Sequence, residues 1–226
     1  VPVCNIFLDL VLVLDASGSM TPVEDEVLPF ALSITRQFEL SPTSTKVAIV
    51  SFASDATVLT GLSGSDAAVE AALHQYTTGG STSISDGLTA AGQVLASGAR
   101  FGSNRVIMLL SDGQQTVDGS DATAIAVAES LRAGSSPPEI FAFGFAGAVA
   151  ATLDAIASSP ASTYSFVGAS IAEIQQHFAG SAFCSVVNSP RPPPAAPLPP
   201  PAPLLPPPSV PVCNIFLDLV LVLDAS

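Results

Sequence analysis

The 226-residue sequence predicts an α/β domain with a doubly wound, mostly parallel sheet and one antiparallel edge strand, followed by an extended polyproline II segment. Three observations carry this prediction. Apolar runs of strand length alternate with segments of helical periodicity, the pattern of strand–helix–strand units with right-handed crossovers. Lys46–Phe52 and Ala56–Leu59 read as two strands joined tightly around Ser54 and Asp55, which gives the sheet its antiparallel edge. Thirteen of the 20 prolines fall between Pro190 and Pro211, a composition that builds no core and favours polyproline II.

The elements follow in order. Asn5 to Leu14 is almost wholly apolar and stops at Asp15, as a strand buried on both faces of a parallel sheet should. Pro22 with Glu24, Asp25 and Glu26 marks a helix start, and Val27, Phe30, Ala31, Ile34 and Phe38 continue at helical spacing as a core stripe. Helices are expected at Asp66–His74 and Ser85–Ala96, the second with Ile84, Leu88, Ala91 and Leu95 on one face. Arg105–Leu110 is a further buried strand, halting at Ser111 and Asp112. A helix over Asp121–Leu131, a strand over Glu139–Phe145, a short helix near Leu153, a strand around Thr163–Val167 and a helix over Ile171–Phe178 complete the set.

Composition narrows the function. Nineteen acidic against six basic residues leave a net charge of −13, and there is a single lysine. Such a chain lacks the cationic surface that nucleic acid requires, so nucleic acid is not an expected partner. No apolar run reaches the roughly 18–20 residues of a membrane span, so direct membrane insertion is not expected. The first residues lack the basic segment of a secretion signal, so the chain reads as a mature or excised piece.

Val1–Ser17 and Val210–Ser226 are the same seventeen letters, VPVCNIFLDLVLVLDAS, at an offset of 209 residues. A tandem array is the simplest account, with a domain over 1–187, a proline-rich linker over 188–211 and the first strand of the next repeat over 212–226; a cyclic duplication is the competing one. One repeat then holds two cysteines. Pairing Cys4 with Cys184 closes a loop of about 180 residues, worth up to ~5 kcal/mol on the chain-entropy account. Cys213 then awaits the equivalent of Cys184 in the next repeat. This bracketing favours an oxidising, extracellular setting, with two free thiols in a reducing compartment as the alternative.

Over Ser189–Pro211 the chain would form a semi-rigid spacer of roughly 70 Å at ~3.1 Å per residue. The segment resembles hydroxyproline-rich glycoproteins of plant and algal walls. That resemblance implies O-linked glycans, with Pro192, Pro193, Pro194, Pro199, Pro200, Pro201, Pro206, Pro207 and Pro208 as candidate attachment sites. A bare linker or a docking site for proline-binding modules is the other reading.

Oxygen donors cluster at the strand ends: Asp15, Ser17 and Ser19 in DASGSM, Thr82 in GGSTSISDG and Asp112 in LLSDGQ. In doubly wound sheets ligands bind outside the carboxyl ends of strands, where these loops converge. Hard oxygen ligands without His or Cys suit Mg²⁺, with Ca²⁺ or Mn²⁺ also acceptable.

Together, DLVLVLDASGSM, GGSTSISDGL, VIMLLSDGQ, EIFAFGF and LDAIASSP resemble a von Willebrand factor type A domain over about Asn5–Ser181. The resemblance implies a Rossmann-like fold. It also implies a metal-ion-dependent adhesion site at Asp15, Ser17, Ser19, Thr82 and Asp112, whose cation keeps one position open for a partner's acidic group. A cation that merely stabilises the loops, or an empty site, is the plainer alternative.

Enzymatic roles find no support. The position two residues after Asp15 is Ser17 rather than the second acid of an aspartyl phosphotransferase, and neither a nucleophile elbow nor a phosphate-binding loop is present. His74 and His177 fall on expected helices as surface or core-rim residues. The expected function is therefore that of a repeating unit of a secreted fibrous glycoprotein, with a divalent-cation-dependent adhesion site directed at neighbouring repeats. The alternative is a cell-surface or matrix adhesion receptor for an external acidic protein ligand.

Overall fold

The computed structural model describes residues 4–145, 147–180 and 183–187. At its centre lies β1 (Leu8–Asp15), all eight residues of which are buried. The side chains of a strand alternate between the two faces of a sheet. Here Leu8, Leu10, Leu12 and Leu14 enter one apolar layer, and Val11 and Val13 enter the other. A strand with both faces covered reads as a near-continuous apolar run, here Leu10 to Leu14 between Asp9 and Asp15.

After β1 come α1 (Glu24–Thr35), β2 (Thr45–Phe52), β3 (Ala56–Ser63), α2 (Asp66–Leu73) and α3 (Ile84–Gly98). β4 (Asn104–Ser111), α4 (Asp121–Arg132), β5 (Glu139–Gly144), α5 (Ala150–Ile156), α6 (Ala161–Tyr164), β6 (Ser165–Val167), α7 (Ile171–Gly180) and α8 (Phe183–Val187) complete the described chain. The sheet order is β3-β2-β1-β4-β5-β6; all neighbours are parallel except β2 and β3. From β1 the chain builds outward through β2 to β3, then returns to β4 and builds the other way. The loops after β1 and β4 thus part at the middle of the sheet, opening a crevice at the strands' carboxyl ends.

Helices cover both faces. Val27, Phe30, Ala31 and Ile34 of α1, Val69 and Leu73 of α2, and Ile171 and Ile174 of α7 pack on the leucine face of β1. Leu88, Ala91 and Leu95 of α3, Ala124 and Ala128 of α4, and Leu153 and Ile156 of α5 pack on the valine face. The small residues of α3 permit a close approach: a Cβ on Gly87 would stand 2.8 Å from Phe52 Cδ1 and 3.0 Å from Val13 Cγ1.

Several boundaries differ from the sequence reading. β1 begins at Leu8 rather than Asn5, because Cys4 instead bridges to Phe38, with Cys4 N donating to Gln37 O (2.7 Å). Phe38 itself lies beyond the end of α1, yet is buried in the same layer as the helical stripe. β3 continues to Ser63, and a helical turn occupies Ala161–Tyr164, which leaves β6 three residues. Cys4 and Cys184 form a disulfide with a Cα–Cα distance of 5.9 Å across a sequence separation of 180 residues. The linker over 188–211 with its candidate glycosylation prolines, the repeated segment 212–226 and Cys213 lie outside the described residues.

Candidate metal centre

β1 delivers Asp15 to the crevice fully buried. Its carboxylate shapes the turn that follows: Ser17 N donates to Asp15 Oδ1 (2.9 Å), and the chain then winds through a 3₁₀ turn, Gly18–Val23, into α1. The second carboxylate oxygen accepts from Ser111 Oγ (2.6 Å) at the end of β4. The Tyr76 hydroxyl donates to the backbone oxygen of Asp15, so this residue is held at three points.

Glycines bring the next loop close. Gly18 N donates to Gly80 O (3.0 Å) and Gly79 N to Ala16 O (2.8 Å). Gly80 has φ +82°, a conformation open to glycine but strained for other residues.

The hydroxyls form a directed relay. Ser19 Oγ donates to Asp112 Oδ1 (2.9 Å) and lies 3.0 Å from Ser17 Oγ. A hydroxyl carries one proton, so Ser17 is the donor to Ser19. Asp15, Ser17, Ser19 and Asp112 thereby converge from β1 and β4, although Ser19 and Asp112 are 93 residues apart in sequence.

Thr82 arrives from a third loop. Its backbone is matched to Thr116, with Thr82 N donating to Thr116 Oγ1 (2.8 Å) and Thr116 N donating to Thr82 O (2.8 Å). Its hydroxyl makes no hydrogen bond among the described residues. That oxygen lies 4.0 Å from where a Cβ on Gly113 would stand, beside the residue that follows Asp112.

The electrostatics are unbalanced. Burial pushes the Asp15 carboxyl above its ordinary value of 3.8; hydrogen bonds from Ser111 and Ser17 pull it back, and the charge of Asp112 pushes it up further. Neither Asp15 nor Asp112 has a basic partner among the described residues. Burial, followed by the charges of Asp15, Glu24 and Asp112, also raises the Tyr76 phenol well above its ordinary value of 10.0, so it remains a donor. No group of three or more His, Cys, Asp and Glu side chains suited to a metal ion occurs among the described residues. Two carboxylates and three hydroxyls form a hard, all-oxygen donor set, which fits a divalent cation of the Mg²⁺ type.

The sequence did not reveal Tyr76 and Ser111. Tyr76 acts on a backbone oxygen and leaves no motif; Ser111 had a signal, a hydroxyl residue immediately before Asp112 at a strand end.

The von Willebrand factor type A domain profile matches residues 9–179. The chain belongs to the von Willebrand factor type A domain family. Proximal thread matrix protein 1 from the mussel byssus, solved with a zinc-occupied MIDAS motif, is 30% identical with a TM-score of 0.66, covering 78% of this chain and 46% of that one. A second crystal form of the mussel protein is 29% identical with a TM-score of 0.64 over the same shares. Manganese-loaded TRAP protein of Plasmodium vivax shares the fold at 21% identity and a TM-score of 0.63, covering 77% of this chain and 72% of that one. The A domain chain thus spans less than half the length of the mussel structures it matches. No curated protein matches the sequence.

Proposed function

We propose that this A domain binds a divalent cation through Asp15, Ser17, Ser19, Thr82 and Asp112 and uses it for protein–protein association in an extracellular matrix. The observation that carries the reading is the uncompensated pair of carboxylates: Asp15 is wholly buried, Asp112 is linked to it through the Ser19 and Ser17 hydroxyls and the Ser17 backbone N–H, and neither has a basic partner among the described residues. A buried charge is normally paired or coordinated, and a bound cation would supply here the positive charge that the described residues do not. When bound, it would also attract a carboxylate of a second protein. The zinc-occupied MIDAS motif of the 30% identical mussel byssus matrix protein supports both the site and the setting. Mg²⁺ suits the all-oxygen donors best.

In the fuller form of this reading the chain is a unit of a secreted fibrous glycoprotein. Its proline-rich segment acts as an O-glycosylated spacer, the repeated Val210–Ser226 begins the next unit, and the partners are neighbouring units. Sedimentation velocity of the full chain in Mg²⁺ and in chelator tests the site. Association that requires the cation, and is lost in Asp112→Ala while the melting curve in chelator is retained, is the expected result. Equal association in chelator, or in the variant, would contradict it.

A further inference from the structure

The loop after β4, which carries Asp112, is fastened to the start of α3 by one buried amide. Gln115 Oε1 accepts from Ser85 N (3.0 Å), while Gln115 Nε2 donates to Ser85 Oγ (2.6 Å) and to Val117 O (2.8 Å). Both amide protons are therefore used, and the side chain is buried. The first amides of a helix need an outside acceptor. Ser83, the residue before α3, supplies none with its side chain, and Gln115 supplies one from 30 residues further along the chain. Gln115 is itself anchored, its backbone N donating to Asp121 Oδ1 (2.9 Å) while Asp121 Oδ2 accepts from Thr152 Oγ1 (2.7 Å) on α5.

Next to this bond lies the reciprocal pair between Thr116 and Thr82. Two adjacent residues of one loop thus grip two points of the other: Thr116 holds Thr82, and Gln115 holds Ser85 three positions on. Asp112 stands three residues before Gln115 on the same loop.

The geometry points to Gln115 as a positioning residue that sets Thr82 in register with Asp112 and so tunes the cation affinity of the site. The inference rests on the cation reading above. Gln115 is too deeply engaged to touch a cation itself, since three of its side-chain bonds go to Ser85 and Val117. It acts by keeping two ligand-bearing loops at one separation, and residues that orient metal ligands in this way typically change affinity by about 10–100-fold when removed.

Mn²⁺ titration of the full chain, followed by electron paramagnetic resonance, tests this directly. Gln115→Leu keeps the volume but loses all three bonds, and about tenfold weaker Mn²⁺ binding is expected. In a Thr82→Ala background the same change should add little, because the group being positioned is gone; a merely structural role would produce the same loss in both backgrounds. Gln115→Glu separates position from charge. It keeps the acceptor for Ser85 N, loses both donors and adds a negative charge, so weaker binding supports positioning and tighter binding overturns it. Should Gln115→Leu fail to fold, Thr116→Val, which removes the acceptor for Thr82 N, is expected to weaken Mn²⁺ binding in the same way. Wild-type affinity in the folded variants overturns the inference alone. Absence of Mn²⁺ binding by the wild-type chain overturns the cation reading and this inference with it.

Discussion

Asp9 and Asp15 sit at opposite ends of β1, about 20 Å apart at ~3.3 Å per residue, and both are fully buried. Asp9 has its counter-charge within the chain. Arg100 Nε donates to Asp9 Oδ1 (2.8 Å), while Arg100 N (2.7 Å) and Ser103 Oγ (2.6 Å) donate to Asp9 Oδ2. The guanidinium also donates to the carbonyl oxygens of Leu8, Ser44 and Pro42 and lies 4.2 Å from the centre of the Phe7 ring. Asp15 has hydroxyls, a backbone N–H and a second carboxylate nearby, and no cationic side chain beside it among the described residues. One strand thus holds an ion pair at one end and, among the described residues, a buried carboxylate without a basic partner at the other. Removing one partner of a buried pair leaves the other uncompensated, so Arg100→Ala should cost about 3 kcal/mol in urea unfolding. Its Mn²⁺ affinity should match wild type, because the network lies at the far end of the sheet. This pair was not legible in the sequence. Asp9 is a single acid inside an apolar run, and its partner is 91 residues away. The residues of the candidate site could be singled out in the sequence because they fall in three short motifs, each at a strand or helix end.

At the scale of elements, legibility followed burial. β1, β4 and β5 were read within about three residues at each end, since central parallel strands are continuous apolar runs. The edge strand β3 was underread: Thr60, Gly61 and Ser63 interrupt its apolar pattern, whereas the backbone pairing to β2 continues to Ser63. The short α6 and α8 carry no periodicity, being four and five residues long. Packing rather than propensity places Gly87 in α3, where a side chain would meet Phe52 and Val13. Gly87→Ala should therefore destabilise the domain by about 1–3 kcal/mol through overpacking, despite the better helix propensity of alanine. Equal or greater stability in thermal unfolding would contradict this account of the close approach of α3. The disulfide between Cys4 and Cys184 ties the segment before β1 to α8. Reduction removes a constraint on a very long loop, so a loss of roughly 2–5 kcal/mol is expected when denaturation is compared with and without reductant.

For the molecule as a whole, charge sets the terms of association. A net charge of −13 makes copies of the chain repel one another, and monovalent salt only screens that repulsion. A cation held as proposed between Asp15 and Asp112 would do more, because it would provide a point of attraction for an acidic group on a second molecule. Association measured by light scattering should therefore rise with Mg²⁺ beyond its rise with Na⁺ at equal ionic strength; identical curves would reduce the effect to screening. Among the described residues no helix is long and apolar enough to cross a membrane. The central claim is that Asp15, Ser17, Ser19, Thr82 and Asp112 hold one divalent cation. Anomalous diffraction at the manganese edge, from crystals grown in Mn²⁺, tests it most directly. The account predicts a peak within bonding distance of these oxygen atoms at the carboxyl ends of β1 and β4. A peak elsewhere on the domain, or none at this crevice, would contradict it.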